Sequence, residues 1–427
     1  MNALELTVPP IEWASDEVDP VELVPVRGLA EFRLRRHWRH RVMVDVIHDG
    51  WVVPAEFLVD GSGHMIPSEA FHDQYVEERD WGACMIAASL TKELGLANYT
   101  RINIARVLMD FGRFPGSTGL RARHLERFAL NYPFSELLGH RLKRRLLVDY
   151  YDAISRRMDE LVRSTRVKIA LHTYDTHNEN GTLRPQVSLV TSALGEHTEE
   201  VPLRVFDPLY PAKLGEFSCN RVLRDRISLT LEKSSIPVAH NYPYRLPEGG
   251  IEVRAQVWSY FTHIKQHFEH AYPDTRDEPA FEAVWRMLLD TNLRSTDSAA
   301  LRSYLHLYRR APEGKRRLFK GASQAYTRIR KFVGANHEEM VENYIMSEER
   351  LSCLGIEVRK DLVYEYDERG VPVAPRWDNV EHIGKLVARA VRTFLHEDVT
   401  HLEPGLDGPQ FEEEDSAIIR SESLGGM

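Results

Sequence analysis

Val167-Lys168-Ile169-Ala170-Leu171-His172-Thr173-Tyr174-Asp175 is the stretch on which the fold turns. An apolar run delivers a histidine and then passes into polar residues and an Asn/Gly turn at Asn178 to Gly181. This pattern predicts a buried strand whose end aims a side chain at a cleft, and in open α/β sheets ligands sit at the carboxyl ends of strands. A lone strand-end histidine is more often a satisfied core residue. Here, however, Val42 to Ile47 followed by His48-Asp49-Gly50 repeats the design. Two strands that end in histidine, with acidic residues between them in the chain, suit a zinc hydrolase.

Around these strands the pattern alternates. Ser68 to Leu94 has helical spacing, Ile102 to Met109 reads as a strand, and Leu137 to Val162 repeats Leu138, Leu142, Leu146, Tyr150, Ile154 and Met158 at helical intervals before feeding into 167–172. Gln186–Thr191, Val222–Leu231 and a short piece at Val253–Trp258 read as further strands. Strand character returns over Leu354 to Tyr364, and Val380 to Leu395 closes the pattern as a helix. Helix and strand in alternation predict an α/β fold, a mixed β-sheet sandwiched by helices. Residues 259–350 carry helical patterns rich in Arg, Lys and Glu and no clear strand. They are expected to form a helical insertion between two parts of one domain, 31–258 and 351–400. Residues 1–30, marked by Pro9, Pro10, Pro20 and Pro25, read as an N-terminal arm, and 403–427 as a disordered acidic tail.

Composition narrows the class. The chain has 427 residues, enough for one elaborated α/β domain with an insertion. A net charge of −9 argues against nucleic acid or an anionic membrane as partner. The three cysteines, Cys84, Cys219 and Cys353, are far apart, so neither a disulfide framework nor a thiolate metal site is expected. The N-terminus has no signal-peptide pattern and no apolar run reaches membrane-spanning length, so a cytoplasmic protein is expected.

Several stretches, in order, resemble the N-formylglutamate amidohydrolase family, relatives of the zinc carboxypeptidases. They are Ile47-His48-Asp49-Gly50, Asp73-Gln74-Tyr75-Val76-Glu77, Arg106 to Arg113, His172-Thr173-Tyr174, Asn241-Tyr242-Pro243-Tyr244 and Gly355 to Leu362. The sequence departs from the family's pattern at Ile47, where a proline is usual, and at Gly112, where an asparagine is usual. The resemblance implies a zinc carboxypeptidase or phosphorylase/hydrolase-like fold and a metal-dependent amidohydrolase of a small acidic N-acyl amino acid, N-formylglutamate being the reference, or of a related peptide. It implies His48, Asp73 and His172 as metal ligands, with Glu69 and Glu77 as alternative carboxylates, and Glu357 as general base. Arg106 would stabilise an oxyanion, and Arg113, Asn241 and Tyr244 would bind substrate.

Zinc suits a nitrogen-rich mixed donor set, although Mn, Co or Fe use similar ligands. Glu357 lies within an apolar strand, where an unpaired carboxylate is costly; a salt bridge to Arg359 is the structural alternative. For Arg106 and Arg113 the alternative is an ion pair with Asp110 or Asp175. Two rival functions fit the same residues: a carboxypeptidase-like or peptide-modifying hydrolase that grips a larger partner, and a catalytically inactive binding protein. His263, His267 and His270 share a helical spacing that could hold a second metal, but a solvated or packed face explains them as well.

Overall fold

The computed structural model describes residues 12–14, 19–28, 34–113, 129–193, 206–215, 217–247, 249–347 and 350–397. The expected tail at 403–427 and most of the expected arm lie outside them.

The seven strands of the main sheet are β1 (Val21–Pro25), β2 (Val42–Val46), β3 (Asn98–Ile102), β4 (Val167–Tyr174), β5 (Val187–Val190), β6 (Val238–His240) and β7 (Ser352–Arg359), arranged β1-β3-β2-β4-β7-β5-β6. The centre is parallel: β2 pairs with β3 and with β4, and β4 pairs with β7. The antiparallel pairs are β1 with β3 and β5 with β7. Part of the expected arm is therefore an edge strand. Two smaller pairings, Glu12–Ala14 with Val52–Pro54 and Tyr364–Tyr366 with Pro372–Pro375, lie outside the main sheet.

β4 is buried along nearly its whole length, as a central strand covered on both faces must be. Parity along it separates the faces. Lys168 meets Glu252 in the helix Ile251–Ala271 at 2.6 Å. Thr173, of opposite parity, donates to the Trp81 carbonyl at 3.0 Å, beside the helix Ala83–Leu94. That helix packs on β2, β3 and β4 and against Trp377–Glu397, which also packs on Arg221–Glu232. Along Trp377–Glu397 the buried positions Ile383, Val387, Val391 and Leu395 recur every four residues. Each such burial contributes roughly 1.5–3 kcal/mol, so tertiary packing holds this helix more than propensity does. The sandwich of helices about a mixed sheet is as expected.

Lys168 is fully buried and also bonds Asp45 at 2.7 Å. The two carboxylates satisfy an ammonium that could not otherwise stand inside a sheet.

Five expected elements differ. The strand expected over Leu354–Tyr364 stops at Arg359, and Lys360–Val363 forms a helical turn. Arg221–Glu232 is a helix, not a strand: Leu223, Ile227 and Leu231 are buried at a four-residue spacing while Val222 and Leu229 are exposed, and the Asn220 side chain caps its start by accepting from the Val222 amide at 2.9 Å. Val253–Trp258 is part of the helix Ile251–Ala271; seven consecutive buried residues, Ile251 to Val257, erase the periodicity that would have marked it. The strand expected over Ile102–Met109 ends at Ile102, having begun at Asn98, and the chain then turns through Ala105–Asp110. The helix expected over Ser68–Leu94 breaks into His72–Glu78 and Ala83–Leu94. Gly82, at φ +86°, makes this break, since a Cβ there would strike Val363 at 2.2 Å.

The helices from 251 to 346 have an apolar core of their own, which also takes in Val190, Phe206, Tyr210 and Leu246. Ile251 and Ala255 belong to the core of the sheet, whereas Val257, Phe261 and Phe268 belong to the helical core. One helix thus spans the position where the insertion was expected to begin.

Candidate metal centre

The carboxyl ends of β2, β4 and β7 converge on one site. His48 sits two residues beyond β2, His172 lies within β4 and Glu357 within β7. His172 and Glu357 are direct partners in the parallel pairing, so their side chains share a face.

The carboxylate that joins the two histidines is Asp80, delivered by the helix break at Gly82. Its Oδ2 lies 2.8 Å from Nδ1 of His172 and 3.4 Å from Nδ1 of His48. The ligand atoms of His48, Asp80 and His172 all lie within 4.8 Å of one another. Asp73, expected as the third ligand, is instead exposed on the helix His72–Glu78, as is Glu77; Glu69 is exposed on the preceding turn. In the sequence Asp80 stood inside what read as one continuous helix. Gly82 was the signal of a break there.

A second layer of charge orients these groups. Oδ1 of Asp110 lies 2.8 Å from Nε2 of His48, which fixes the ring through its far nitrogen and leaves Nδ1 facing Asp80. Arg106 reaches Asp80 Oδ1 at 3.0 Å, Asp110 Oδ2 at 3.2 Å and Glu78 Oε2 at 3.4 Å. It ties together the acids behind the histidines, so the ion pair to Asp110 weighed from the sequence is present. Burial works against charge on Asp110, yet His48, Arg106 and Arg113 hold its carboxyl well below the usual range. Burial also opposes protonation of His172, but the bond from Asp80 and the charge of Glu357 outweigh it and push the imidazole up to about 9. Burial raises the Glu357 carboxyl. No hydrogen bond or ion pair joins the Glu357 carboxylate to another described residue, and Arg359 is held by Asp361 at 2.7 Å instead.

The expected substrate-binding residues divide. Tyr244 stands at the site, edge-on to Tyr174 with ring centroids 6.4 Å apart. Asn241 is spent on the backbone: its Oδ1 accepts from the amides of Thr191 and Ser192 at 2.8 and 3.0 Å. Arg113 pairs with Asp110 at 3.2 Å and donates to Asn131 at 2.9 Å. Gly112 leaves room for His48, since a Cβ there would lie 3.1 Å from its Nε2. His263 and His267 stack at 4.1 Å with no third ligand beside them among the described residues.

Two imidazoles and a carboxylate form a donor set that fits zinc and leaves a coordination position for water or substrate. The outer acids Asp110 and Glu78, bridged by Arg106, supply the support such ligands require.

No protein-family model matches the sequence, and no curated protein matches it. Among solved structures, an N-formylglutamate amidohydrolase from Ralstonia eutropha is similar, with a TM-score of 0.45 and 12% identity over 89% of this chain and 100% of the other. A gene product from Agrobacterium tumefaciens is similar with a TM-score of 0.39 and 12% identity, over 83% of this chain and 90% of the other. Among the described residues, no helix is long and apolar enough to cross a membrane.

Proposed function

We propose that this chain is a metal-dependent hydrolase of amide bonds, acting on a small N-acyl amino acid or a related peptide. The observation that carries this reading is the buried His48–Asp80–His172 group with Glu357 beside His172 in the strand register. His48, Asp80 and His172 would hold one divalent metal, zinc by its donor set. When bound, such an ion polarises a carbonyl and lowers the pKa of bound water toward about 7.

The chain's own groups do the rest. Glu357 lies on the face of the metal group without a fixed partner among the described residues, and burial raises its carboxyl, so it takes and returns a proton more readily than an exposed glutamate. It accepts the proton of the attacking water and passes it to the leaving nitrogen. Arg106 acts from behind, through Asp80 and Asp110, as a positioning residue rather than as the oxyanion partner implied by the resemblance. Tyr174 and Tyr244 wall the approach.

The test is direct. Purified protein should carry about one equivalent of zinc or another divalent metal. It should release amine from some member of a panel of N-acyl amino acids and short peptides, and chelation should abolish this. Metal-free protein with activity intact after chelation would overturn the reading.

A further inference from the structure

The cations at the carboxyl rim of the sheet are mostly held by acids. Arg106 has Asp80 and Asp110, Arg113 has Asp110, Arg359 has Asp361, and Lys360 has Asp175 at 2.8 Å. Arg184 is different. No carboxylate pairs with it among the described residues, and its Nε is shut off from solvent without a hydrogen-bond partner. Among the rim cations named here, Arg184 is thus the one that holds no carboxylate of the described residues.

The guanidinium lies beside two aromatic rings that meet edge-on. Its carbon lies 5.5 Å from the ring centre of Tyr174 and 5.3 Å from that of Tyr244. Tyr174 closes β4 two residues beyond His172. The charge of Glu357 bears on both tyrosine hydroxyls and Arg184 opposes it.

Arg184 is also held rigidly. Its amide donates to the Thr176 carbonyl at 2.9 Å, and Arg359 donates to its carbonyl at 3.0 Å. Tyr174 Oη donates to the Pro185 carbonyl at 2.7 Å. The turn below is pinned by Asn178, whose Oδ1 accepts from the amides of Asn180 and Thr182. These bonds hold the backbone at Arg184, which keeps its side chain beside the two rings.

We infer that Arg184 is the anion-recognition residue of this site: its fork takes a carboxylate of the substrate in a slot walled by Tyr174 and Tyr244. The inference rests on the hydrolase reading for its reacting bond. It moves the carboxylate-binding role away from Arg113, whose guanidinium already serves Asp110 and Asn131. It selects N-acyl amino acids or peptides that carry a free carboxylate near the scissile amide.

The experiment uses the full-length, zinc-loaded chain as wild type, Arg184→Ala and Arg184→Lys. Four probes are compared: N-formyl-L-glutamate, N-formyl-L-glutamine, the α-amide of N-formyl-L-glutamate, and the neutral diamide. Binding is measured by calorimetry and turnover separately, with zinc content and Tm recorded. Arg184→Ala should weaken binding, and raise KM, about tenfold or more for probes that retain the recognised carboxylate, and about twofold or less for the neutral diamide. The two singly charged probes show which carboxylate is read. Arg184→Lys should recover part of the loss, and zinc content should not change. Carboxylate binding that depends on Arg184 without turnover of any probe would remove the hydrolase reading and leave this inference standing. Equal losses for charged and neutral probes, loss of zinc or fold in both variants, or no carboxylate binding by wild type would overturn it.

Discussion

Asp110 Oδ1 lies 2.8 Å from Nε2 of His48, on the side of the ring away from Asp80. The far nitrogen of a candidate ligand is thus held by a carboxylate that two arginines keep charged. Asp110→Ala should therefore lower zinc affinity about 10- to 100-fold without removing a ligand. Calorimetric titration of chelated protein checks this, and an unchanged affinity would deny Asp110 any part in orienting His48.

The choice of carboxylate ligand has a sharp test. Asp80→Ala should abolish stoichiometric zinc, whereas Asp73→Ala, on an exposed helix face, should leave zinc content and Tm nearly unchanged. Elemental analysis of the two variants in parallel decides between them; zinc retained by Asp80→Ala and lost by Asp73→Ala would reverse the assignment.

Glu357→Gln keeps the shape of the side chain and removes its basicity. The expected loss in kcat is about 10²- to 10⁴-fold, with zinc content held. A stable, zinc-loaded variant with kcat near that of wild type would remove Glu357 from the proton path.

In metal-free protein the His172–Asp80 pair should set a pH window for stability. The His172 imidazole is raised from 6.5 to about 9, so its contribution is fully present below pH 6.5 and is lost as the pH rises through 9. The Asp80 carboxyl is lowered well below 3.8, so its contribution is present above that pH and is lost only in stronger acid. Tm of chelated protein should fall between pH 6.5 and 9, while zinc affinity rises over the same interval because the metal needs the neutral ring. A Tm flat across that interval in chelated protein would contradict the pairing.

Lys168→Met leaves Asp45 and Glu252 facing each other inside the core. Breaking a buried ion group in this way costs about 3–5 kcal/mol. Urea unfolding measures it, and a cost under about 1 kcal/mol would mean that the acids simply protonate without strain.

Much of this architecture was legible in the chain. The apolar runs ending at His48 and His172 are the strands they predicted, because a strand covered on both faces is mostly apolar, with Asp45 and Lys168 paired to each other as the exceptions. Glu357 was placed correctly within a strand for the same reason. Asp80 was legible only as far as Gly82 marks a break near it; that the break brings its carboxylate onto both histidines depends on the tertiary fold. Arg184 carried no local mark at all: its meaning comes from two rings, Tyr174 and Tyr244, brought together by tertiary structure. The helices Arg221–Glu232 and Ile251–Ala271 escaped for opposite reasons. The first carries apolar residues, Val222 and Leu229, on its solvent face, and the second begins buried all round.

The helix Ile251–Ala271 acts as an axle fixed at both ends. At about 1.5 Å per residue its 21 residues reach roughly 32 Å, from the interior of the sheet into the interior of the helical cluster. Glu252, in its first turn, grips Lys168 on the strand that bears His172. The sheet and the helical cluster thus share one rod, seated in the sheet by Ile251 and Ala255 and by the grip of Glu252 on Lys168.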